Sequence, residues 1–370
     1  MEDAPDDPGH RTRSRAEQRA AHGDTAYLRD LASRLADQYE SAAELVREHE
    51  RRLAHVVRVL ALTPGRDSLA QLLRLLAEKR PPGNGCTPRF IASLLAEHHE
   101  ATDLATVVFD RPRSDGLDEL RACLFHELVL RGVDIASFPQ LRSWPVVRPG
   151  GHALAWLPDQ RRDFEAGARF PSRSVHGSAS GMPGGLSAEG RVDPPVPRTS
   201  PRSSLRDLAT THVHESITAA AQAGDWGDCG AWVFEPDEAL APERVPALLP
   251  ALPMACLDGL GPTDRFEIAV RPLGDVWRLL FATASMGGFG GSGVHAAYGR
   301  LWTWRSLAGL SGAPAGASAE EVQRRARQST WFHFQAGTEW FHDDVGSSYG
   351  LAALSPDRRR LAVLAATDTD

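Results

Sequence analysis

The residues best suited to chemistry in this sequence lie in the stretch TEWFHDDVGSSYG, residues 338–350. It places a histidine, His342, directly before two aspartates, Asp343 and Asp344. An imidazole beside a positioned carboxylate is a common pair for general acid–base catalysis. The types and spacing of these residues make His342, Asp343 and Asp344 the candidate catalytic residues of the chain.

Side chains that are adjacent in sequence seldom face each other, so partners for this cluster have to come from elsewhere in the chain. Glu339 is one candidate, and Asp368 and Asp370 are others if the last strand returns beside this stretch. Converging carboxylates repel one another unless a cation or raised pKa values intervene. Such oxygen ligands suit Mg²⁺ or Ca²⁺, but the sequence identifies no cofactor and no defined set of metal ligands.

A structural interpretation of the same stretch is simpler. Asp343 and Asp344 would sit in a turn, where an aspartate side chain hydrogen-bonds its own backbone. The neighbouring aromatic residues would pack into a core, and residues 367–370 would form a solvated tail. This alternative accounts for most acidic clusters of this kind and predicts no catalysis.

A glycine-rich loop at residues 287–293 is the second candidate for chemistry. It has the spacing G-x-G-x-x-G and lies between a predicted strand and a predicted helix. Backbone N–H groups in such a loop can face an anion. The sequence thus predicts an anion site formed by Gly288, Gly290, Gly293 and Arg300. In the alternative interpretation, the glycines permit positive φ and tight packing, and Arg300 faces solvent or another domain.

Standard nucleotide-binding and metal-binding motifs do not fit the chain. A P-loop needs Gly-Lys-Ser/Thr, and Lys79 is the only lysine present. A dinucleotide fold needs a second strand after the helix, whereas SGAPAGASAEE reads as a loop. His212 and His214 carry no metal prediction, because helical spacing separates their directions by about 200°.

The composition limits the class of protein. The chain has 370 residues, which suits two domains. Its net charge of −7 argues against a general nucleic-acid-binding protein, which would show a basic surplus. No apolar run approaches the roughly 20 residues of a membrane span. Four cysteines without a CxxC pair indicate reduced thiols, and the first residues lack the apolar region of a signal peptide. A cytoplasmic protein is expected.

Apolar and polar residues divide the chain into four parts. Residues 1–23 are polar and charged, which predicts a disordered tail. Residues 24–142 carry apolar residues at steps of three and four, which predicts an α-helical domain, either a bundle or a short helical-repeat stack, and Thr87-Pro88 predicts an N-cap followed by proline at the first position of one helix. Residues 143–204 are rich in Pro, Gly and Ser and predict a linker or a long loop. Residues 205–370 predict an α+β domain that ends in a β-hairpin.

Strands and helices follow one another without regular alternation in the C-terminal part. Strands are predicted for CGAWVFEP, FEIAVRP, DVWRLLFATA, WFHFQ and the closing pair in GLAALSPDRRRLAVLAATDTD. Helices are predicted around residues 204–224 and 298–307. The fold class is therefore α+β, with an all-helical N-terminal domain followed by a mixed α+β C-terminal domain.

The end of the chain resembles a bacterial family of uncharacterised proteins, a domain of unknown function. The resemblance is carried by Trp340 in TEWF, by PDRR, by the ending LAVLAATDTD and by the glycines around Gly290. It extends over the C-terminal half, including LPALPMACLDGL and AYGRLWTWRSLAGL. The resemblance implies no activity, because no chemistry is attached to this family.

These observations favour a non-catalytic binding or scaffold protein over an enzyme, because no complete catalytic set is visible. A protein partner is expected to bind through the helical domain, and neither nucleic acid nor a membrane is expected as a partner. The alternative is a hydrolase or a phosphoryl-transfer enzyme. It would use the loop at residues 287–293 for an anion and His342, Asp343 and Asp344 for acid–base work.

Overall fold

The chain divides into two compact units. The computed structural model describes residues 8–41, 46–78, 86–110, 116–147, 151–175, 177–179, 189–194, 205, 207–288, 291, 293–341 and 347–368. The helical unit comprises Met1–Ala155 and Ser172–Ala179, and the α+β unit comprises Trp156–Pro171 and Ser180–Asp370. This architecture confirms the predicted α+β fold class with helices first. No helix among the described residues is long and apolar enough to span a bilayer.

The helical unit contains eight helices in its described part: α1 Pro8–Ala21, α2 Thr25–Ser41, α3 Val46–Leu62, α4 Arg66–Glu78, α5 Pro88–His98, α6 Ala101–Val108, α7 Asp118–Leu130 and α8 Pro139–Val147. The start of α5 is capped as its sequence predicts, because the Thr87 side chain accepts the Phe90 N–H and Pro88 follows at the first helical position. Helix α7 is buried at every position from Leu120 to Leu130. It is therefore the central helix of this unit.

Helix α1 corrects the prediction of a disordered tail over residues 1–23 for Pro8–Ala21, while residues 1–7 lie outside the described residues. Its sequence is too polar to supply an apolar face of its own, but it packs on its neighbours in three ways. Ala16 is fully buried, Glu17 lies 3.2 Å from His55 of α3, and Arg19 stacks over Tyr27 of α2. Tertiary contacts, rather than intrinsic helix propensity, hold this segment.

The α+β unit is built on an antiparallel sheet of six strands in the order β3-β5-β6-β7-β8-β4. The strands are β3 Arg191–Val192, β4 Asp228–Phe234, β5 Phe266–Arg271, β6 Thr330–Ala336, β7 Ser347–Leu354 and β8 Leu361–Asp368. The helices are α9 Thr211–Ala223, α10 Val245–Leu248, α11 Leu273–Met286, α12 His295–Leu310 and α13 Ala319–Gln328. Strand β8 is buried at all eight positions. An apolar cluster that includes Leu249 and Met254 covers one sheet face, and helices α9, α11 and α12 contact the sheet as well.

The predicted terminal hairpin is confirmed as β7 and β8, paired from Ser347↔Asp368 to Leu354↔Leu361. Its turn is held by Asp357, whose carboxylate accepts the Ser355 hydroxyl at 2.6 Å. This hydrogen bond lowers the pKa of Asp357. Arg360 donates to the carbonyl oxygens of Gly309 and Leu310, both at 2.9 Å. The hairpin turn therefore also satisfies the C-terminal carbonyls of α12.

The strand predicted for DVWRLLFATA is wrong, because this sequence lies in helix α11. Ten residues from Val276 to Met286, all but Arg278, are buried, so the apolar run shows neither a clear helical nor a clear strand period. The loop predicted for SGAPAGASAEE is wrong in its second half, since Ser318 caps α13 and accepts the Glu321 N–H. The glycine loop therefore connects two helices rather than a strand and a helix.

Part of residues 143–204 differs from the predicted linker. Residues up to Val147 belong to α8, and Trp156–Pro171 belongs to the α+β unit. The reason is burial: Leu157 and Phe164 are nearly inaccessible, and Glu165 is completely so. A second part forms a short hairpin of β1 Ser172–Ser174 and β2 Gly177–Ala179, which belongs to the helical unit.

Candidate functional site

Three chain segments meet at one end of the sheet in the α+β unit. They are the turn after α9 at residues 224–228, the glycine loop after α11 at residues 287–288, 291 and 293–295, and the end of β8 at residues 367–368. We call this place the glycine corner. The Gly288 N–H donates to the Gly224 carbonyl at 2.9 Å, and the Gly227 N–H donates to Asp368 Oδ1 at 3.3 Å.

The glycines of this corner are required by close packing. A Cβ at Gly288 would lie 2.3 Å from Asp368 Oδ2, and a Cβ at Gly293 would lie 2.4 Å from the Ser285 carbonyl oxygen. Gly293 also has a φ of 59°, in the left-handed region that favours glycine. The packing interpretation of the glycine loop thus has direct geometric support.

The corner brings together the glycine loop and the end of β8, as the enzymatic hypothesis requires. However, the charged side chain at the corner is negative, whereas an anion site needs positive charge or free N–H donors. Asp368 is only 7% exposed and its carboxylate lies against Gly288. The N–H groups of Gly288 and Gly291 already donate to backbone carbonyls. A buried carboxylate repels a phosphate, so the described part of the corner is unsuited to an anion. Gly290 lies outside the described residues.

Arg300, the fourth member of the predicted anion site, lies elsewhere and is fully occupied by the protein. Its Nε donates to Glu165 Oε1 at 2.7 Å and its Nη2 to Glu165 Oε2 at 2.8 Å. Its Nη1 donates to the Pro158 carbonyl at 3.0 Å, and Trp304 donates to the same Glu165 at 2.8 Å. Both charged side chains are 0% exposed. The expectation that Arg300 faces solvent or a domain boundary is wrong, because it anchors the 156–171 segment on α12.

The predicted catalytic residues His342, Asp343 and Asp344 lie outside the described residues. The described chain stops before them at Phe341, which is buried, and resumes at Ser347, which pairs with Asp368. Within the part of the chain that the structure describes, no three His, Cys, Asp or Glu residues converge as a metal site.

Two non-glycine residues of the glycine corner have a left-handed backbone conformation. Asp225 has a φ of 56° and His295 a φ of 61°, and only Arg358 joins them among the described non-glycine residues with positive φ. Such conformations concentrate at functional sites, although Asp and His adopt them more readily than most residues. Beside the corner, Trp226 packs on Tyr349 with ring centroids 5.3 Å apart. Burial raises the pKa of Tyr349, which keeps the phenol neutral.

A second polar cluster, in the helical unit, was not predicted. Arg173 of β1 lies close to Phe90 and Glu97, and the charge of Glu127, which accepts from Ser93, also acts on it. We call Phe90, Ser93, Glu97 and Glu127 the arginine site. The Arg173 guanidinium lies 5.9 Å from the Phe90 ring centroid and its Nη1 lies 3.9 Å from Glu97 Oε2. The Arg173 N–H donates to Glu97 Oε1 at 3.2 Å. Burial lowers the pKa of Arg173, and the charges of Glu127 and Glu97 oppose that effect.

The sequence contained one signal for this cluster. Glu127 lies in CLFHELVL, where it interrupts an apolar run, and a charge in such a run needs a partner. In the structure it is fully buried and accepts from the Ser93 hydroxyl and from Arg131. The partner Arg173 lay in the predicted linker and carried no such signal.

Positive charge is concentrated on two neighbouring helices of the helical unit. Helix α1 has four arginines and one glutamate, and α3 has four arginines and two glutamates, whereas the whole chain carries −7. Several of these arginines are exposed, and we call them the basic surface: Arg13, Arg15, Arg19 and Arg51. Arg15 and Arg19 lie 5.6 and 4.9 Å from the ring centroid of Tyr27.

Comparison with known proteins identifies the family but no activity. No curated protein and no solved structure matches the chain at a significant level. The resemblance seen at the end of the sequence has a counterpart in the family comparison. A family of unknown function (DUF6183) matches residues 10–370, and the chain belongs to that family.

Proposed function

We propose that the protein is a non-catalytic binding protein whose helical unit recruits an acidic protein partner through the basic surface. The observation that carries this proposal is the segregation of charge: α1 and α3 together hold eight arginines against three glutamates in a chain with net charge −7. Opposite potentials on two partners steer association and select among partners.

The chemistry of the basic surface fits carboxylates. Arginine presents a planar fork that pairs with a carboxylate through two hydrogen bonds. Tyr27 holds the guanidinium groups of Arg15 and Arg19 over its ring, which limits their freedom before a partner arrives. Each exposed ion pair contributes only about 0.2–1 kcal/mol, so binding is expected to require several pairs and to weaken in salt.

A cytoplasmic location belongs to this proposal. Cys86, Cys123, Cys229 and Cys256 are free thiols, and burial raises the pKa of Cys86 to about 12. Buried, protonated thiols of this kind are unreactive and suit a reducing compartment. Neither a nucleic acid nor a membrane is proposed as a partner, since the chain as a whole is acidic.

Fluorescence anisotropy with a labelled polyglutamate peptide tests the proposal. The charge-reversal variant Arg13→Glu/Arg15→Glu/Arg51→Glu is expected to bind about tenfold more weakly or worse, since several weak pairs are replaced by repulsions. The matched control reverses three exposed arginines of the α+β unit, Arg244, Arg324 and Arg359. Equal losses in both variants, or no binding by the native chain at low salt, would refute the proposal.

An enzyme remains the second candidate, because one specific observation favours it. Asp368 lies against Gly288, so the chain end and the glycine loop share one corner, as the hydrolase or phosphoryl-transfer hypothesis with His342, Asp343 and Asp344 needs; because a carboxylate repels a phosphate, such a site would also need a divalent cation. Thermal-shift measurements with Mg²⁺, Ca²⁺, phosphate and nucleotides separate the two candidates. Stabilisation by one of these that is lost in Asp344→Ala or His342→Ala would favour the enzyme. An unchanged melting temperature across the panel would favour the binding protein.

A further inference from the structure

We propose that the arginine site of the helical unit binds an arginine side chain of a partner protein, and that Arg173 of the β1–β2 hairpin occupies it as an internal ligand. This site is separate from the basic surface and has the opposite charge preference. The inference therefore goes beyond the proposed function, and either one can fail without the other.

The site has the composition that guanidinium recognition requires. Burial lowers the pKa of Arg173, the charges of Glu127 on α7 and Glu97 on α5 raise it, and the charges of Arg131 and Arg58 lower it. The Phe90 ring lies 5.9 Å from the Arg173 guanidinium and is also contacted by Arg58 at 5.2 Å. Carboxylates and an aromatic face are the groups that arginine binds best. Arg173 itself is 8% exposed, so its guanidinium is desolvated in the site.

The internal ligand does not satisfy the site completely. Glu97 Oε2 is buried and has no hydrogen-bond partner in the described structure, because Arg173 Nη1 remains 3.9 Å away. A well-formed bond of this kind is about 2.7–2.9 Å long. The backbone of β1 sets the position of Arg173, whereas an arginine on another chain is free of that restraint. The unused acceptor is the feature that a partner's guanidinium can exploit.

The hairpin that carries Arg173 is short. It consists of three residue pairs, Ser172↔Ala179, Arg173↔Ser178 and Ser174↔Gly177. Ser172 and Ser174 are exposed while Arg173 between them is buried, so β1 buries one side chain. An isolated two-stranded hairpin is marginally stable in water, and a short peripheral segment can open locally without unfolding of the whole unit.

Competition between the two ligands follows from tethering. A group on a short tether has an effective concentration in the millimolar range. In the native chain, a free arginine derivative therefore has to compete with the Arg173 side chain at that effective concentration. Removing the Arg173 side chain removes the competitor and leaves the carboxylates in place. The variant is therefore expected to bind a free guanidinium better than the native chain does.

Isothermal titration of the full chain with N-acetylarginine amide tests this inference. Arg173→Ala is expected to bind the compound about tenfold or more tightly than the native chain. N-acetyllysine amide is expected to bind more weakly, because an ammonium lacks the planar fork. Adding Glu97→Gln to Arg173→Ala is expected to abolish the gain. A control, Arg66→Ala, removes a surface pair with Asp103 and is expected to behave like the native chain.

Equal affinity in the native chain and Arg173→Ala would overturn the inference and leave Arg173 a structural residue. If Arg173→Ala does not fold, hydrogen exchange on the native chain decides instead. Saturating N-acetylarginine amide is expected to increase exchange at residues 172–179, because the compound displaces the hairpin. Unchanged exchange there would equally overturn the inference. Neither result bears on polyglutamate binding, so failure of this inference is distinguishable from failure of the proposed function.

Discussion

Two arginine–glutamate pairs, one in each unit, illustrate different uses of the same chemistry. Arg300 and Glu165 in the α+β unit are both 0% exposed, and their nitrogen and oxygen atoms approach to 2.7 Å. Arg173 and Glu97 in the helical unit have side chains that are 5% and 24% exposed, and the ions stand 3.9 Å apart. The first pair also bonds Trp304 and two backbone carbonyls. The second leaves an acceptor unused.

The difference shows how geometry separates a structural pair from a site that can bind a ligand. Burying two charges has a large desolvation cost, which is offset only by near-ideal geometry and extra hydrogen bonds. Arg300 meets that condition, so its donors are committed to holding the chain. In the second pair the distance from Arg173 Nη1 to Glu97 Oε2 is 3.9 Å, and this Glu97 oxygen keeps an unused acceptor. Breaking each pair should therefore have unequal effects.

Arg300→Met is expected to produce the largest effect. It leaves Glu165 buried without its cation, which costs about 3–5 kcal/mol, and it frees the segment that carries Pro158. Urea unfolding monitored by tryptophan fluorescence measures the loss. The double variant Arg300→Met/Glu165→Met should recover much of it, because no unpaired charge remains. A single-variant loss below about 1 kcal/mol would show that water reaches this pair.

Gly288→Ala tests the glycine corner and is expected to cost up to about 3 kcal/mol, as overpacking does. The new Cβ would lie 2.3 Å from Asp368 Oδ2, so the terminal strand would have to shift. Asp368→Ala should relieve the clash, and the double-variant cycle should show a coupling of about 1 kcal/mol or more. Additive losses would mean that the chain end does not rest on the glycine loop.

The pH dependence of stability provides a further contrast between the units. Burial lowers the pKa of His333 in β6 from 6.5 to about 4, so the native histidine is neutral while the unfolded one protonates below pH 6.5. The unfolded state then binds more protons, and stability falls as pH decreases from 6.5 towards 4. We expect a loss of about 2 kcal/mol between pH 7 and pH 5.

Urea titrations of the native chain and of His333→Asn at pH 7 and pH 5 check this expectation. In the variant, the unfolding free energies at the two pH values should differ much less than in the native chain. His99 in the helical unit is the internal comparison. Burial also lowers the pKa of His99, but its hydrogen bond with the Ala61 carbonyl opposes the shift. A His99→Asn variant should therefore retain more of the pH dependence than His333→Asn does. The reverse order would contradict this assignment.

Arg173→Ala is expected to have the smallest effect, about 1 kcal/mol, because the Glu97 carboxylate is partly solvated and lies 3.9 Å from the guanidinium. The backbone N–H bond to Glu97 survives the substitution. Urea unfolding gives the value, and proteolysis at residues 172–179 should become faster. A loss as large as that of Arg300→Met would make the two pairs equivalent and remove the contrast.

Agreement between sequence and structure depends on how local the signal is. The Thr87-Pro88 cap and the terminal hairpin turn at Ser355 are set by a few adjacent residues, and both were predicted. Helix α11 was missed because its apolar residues run all round, so no period points to a helix. Helix α1 was missed because its contacts with Tyr27 and His55 come from other helices.

The functional residues divide in the same way. The sequence brought attention to the glycine loop and to Asp368, and the structure places Gly288 against that carboxylate. It could not reveal that Arg300 is neutralised by Glu165, a residue 135 positions away. Nor could it link Arg173 to Glu97, 76 positions away. Pairings over such distances depend on how whole elements pack, and residue type alone does not encode them.

Taken alone, the amino-acid sequence determined the fold class, the helical character of the first unit with the Thr87-Pro88 cap, the closing hairpin and the net negative charge. Each follows from residue periodicity, turn chemistry or composition, which act over a few residues or over the sum of all of them. Only the tertiary structure decided which charges are buried together, why no side chain fits at the glycines of the corner, and where a carboxylate acceptor remains unused. Those outcomes depend on the desolvation of charged groups and on the distances between them, and both are set only when segments remote in sequence pack together.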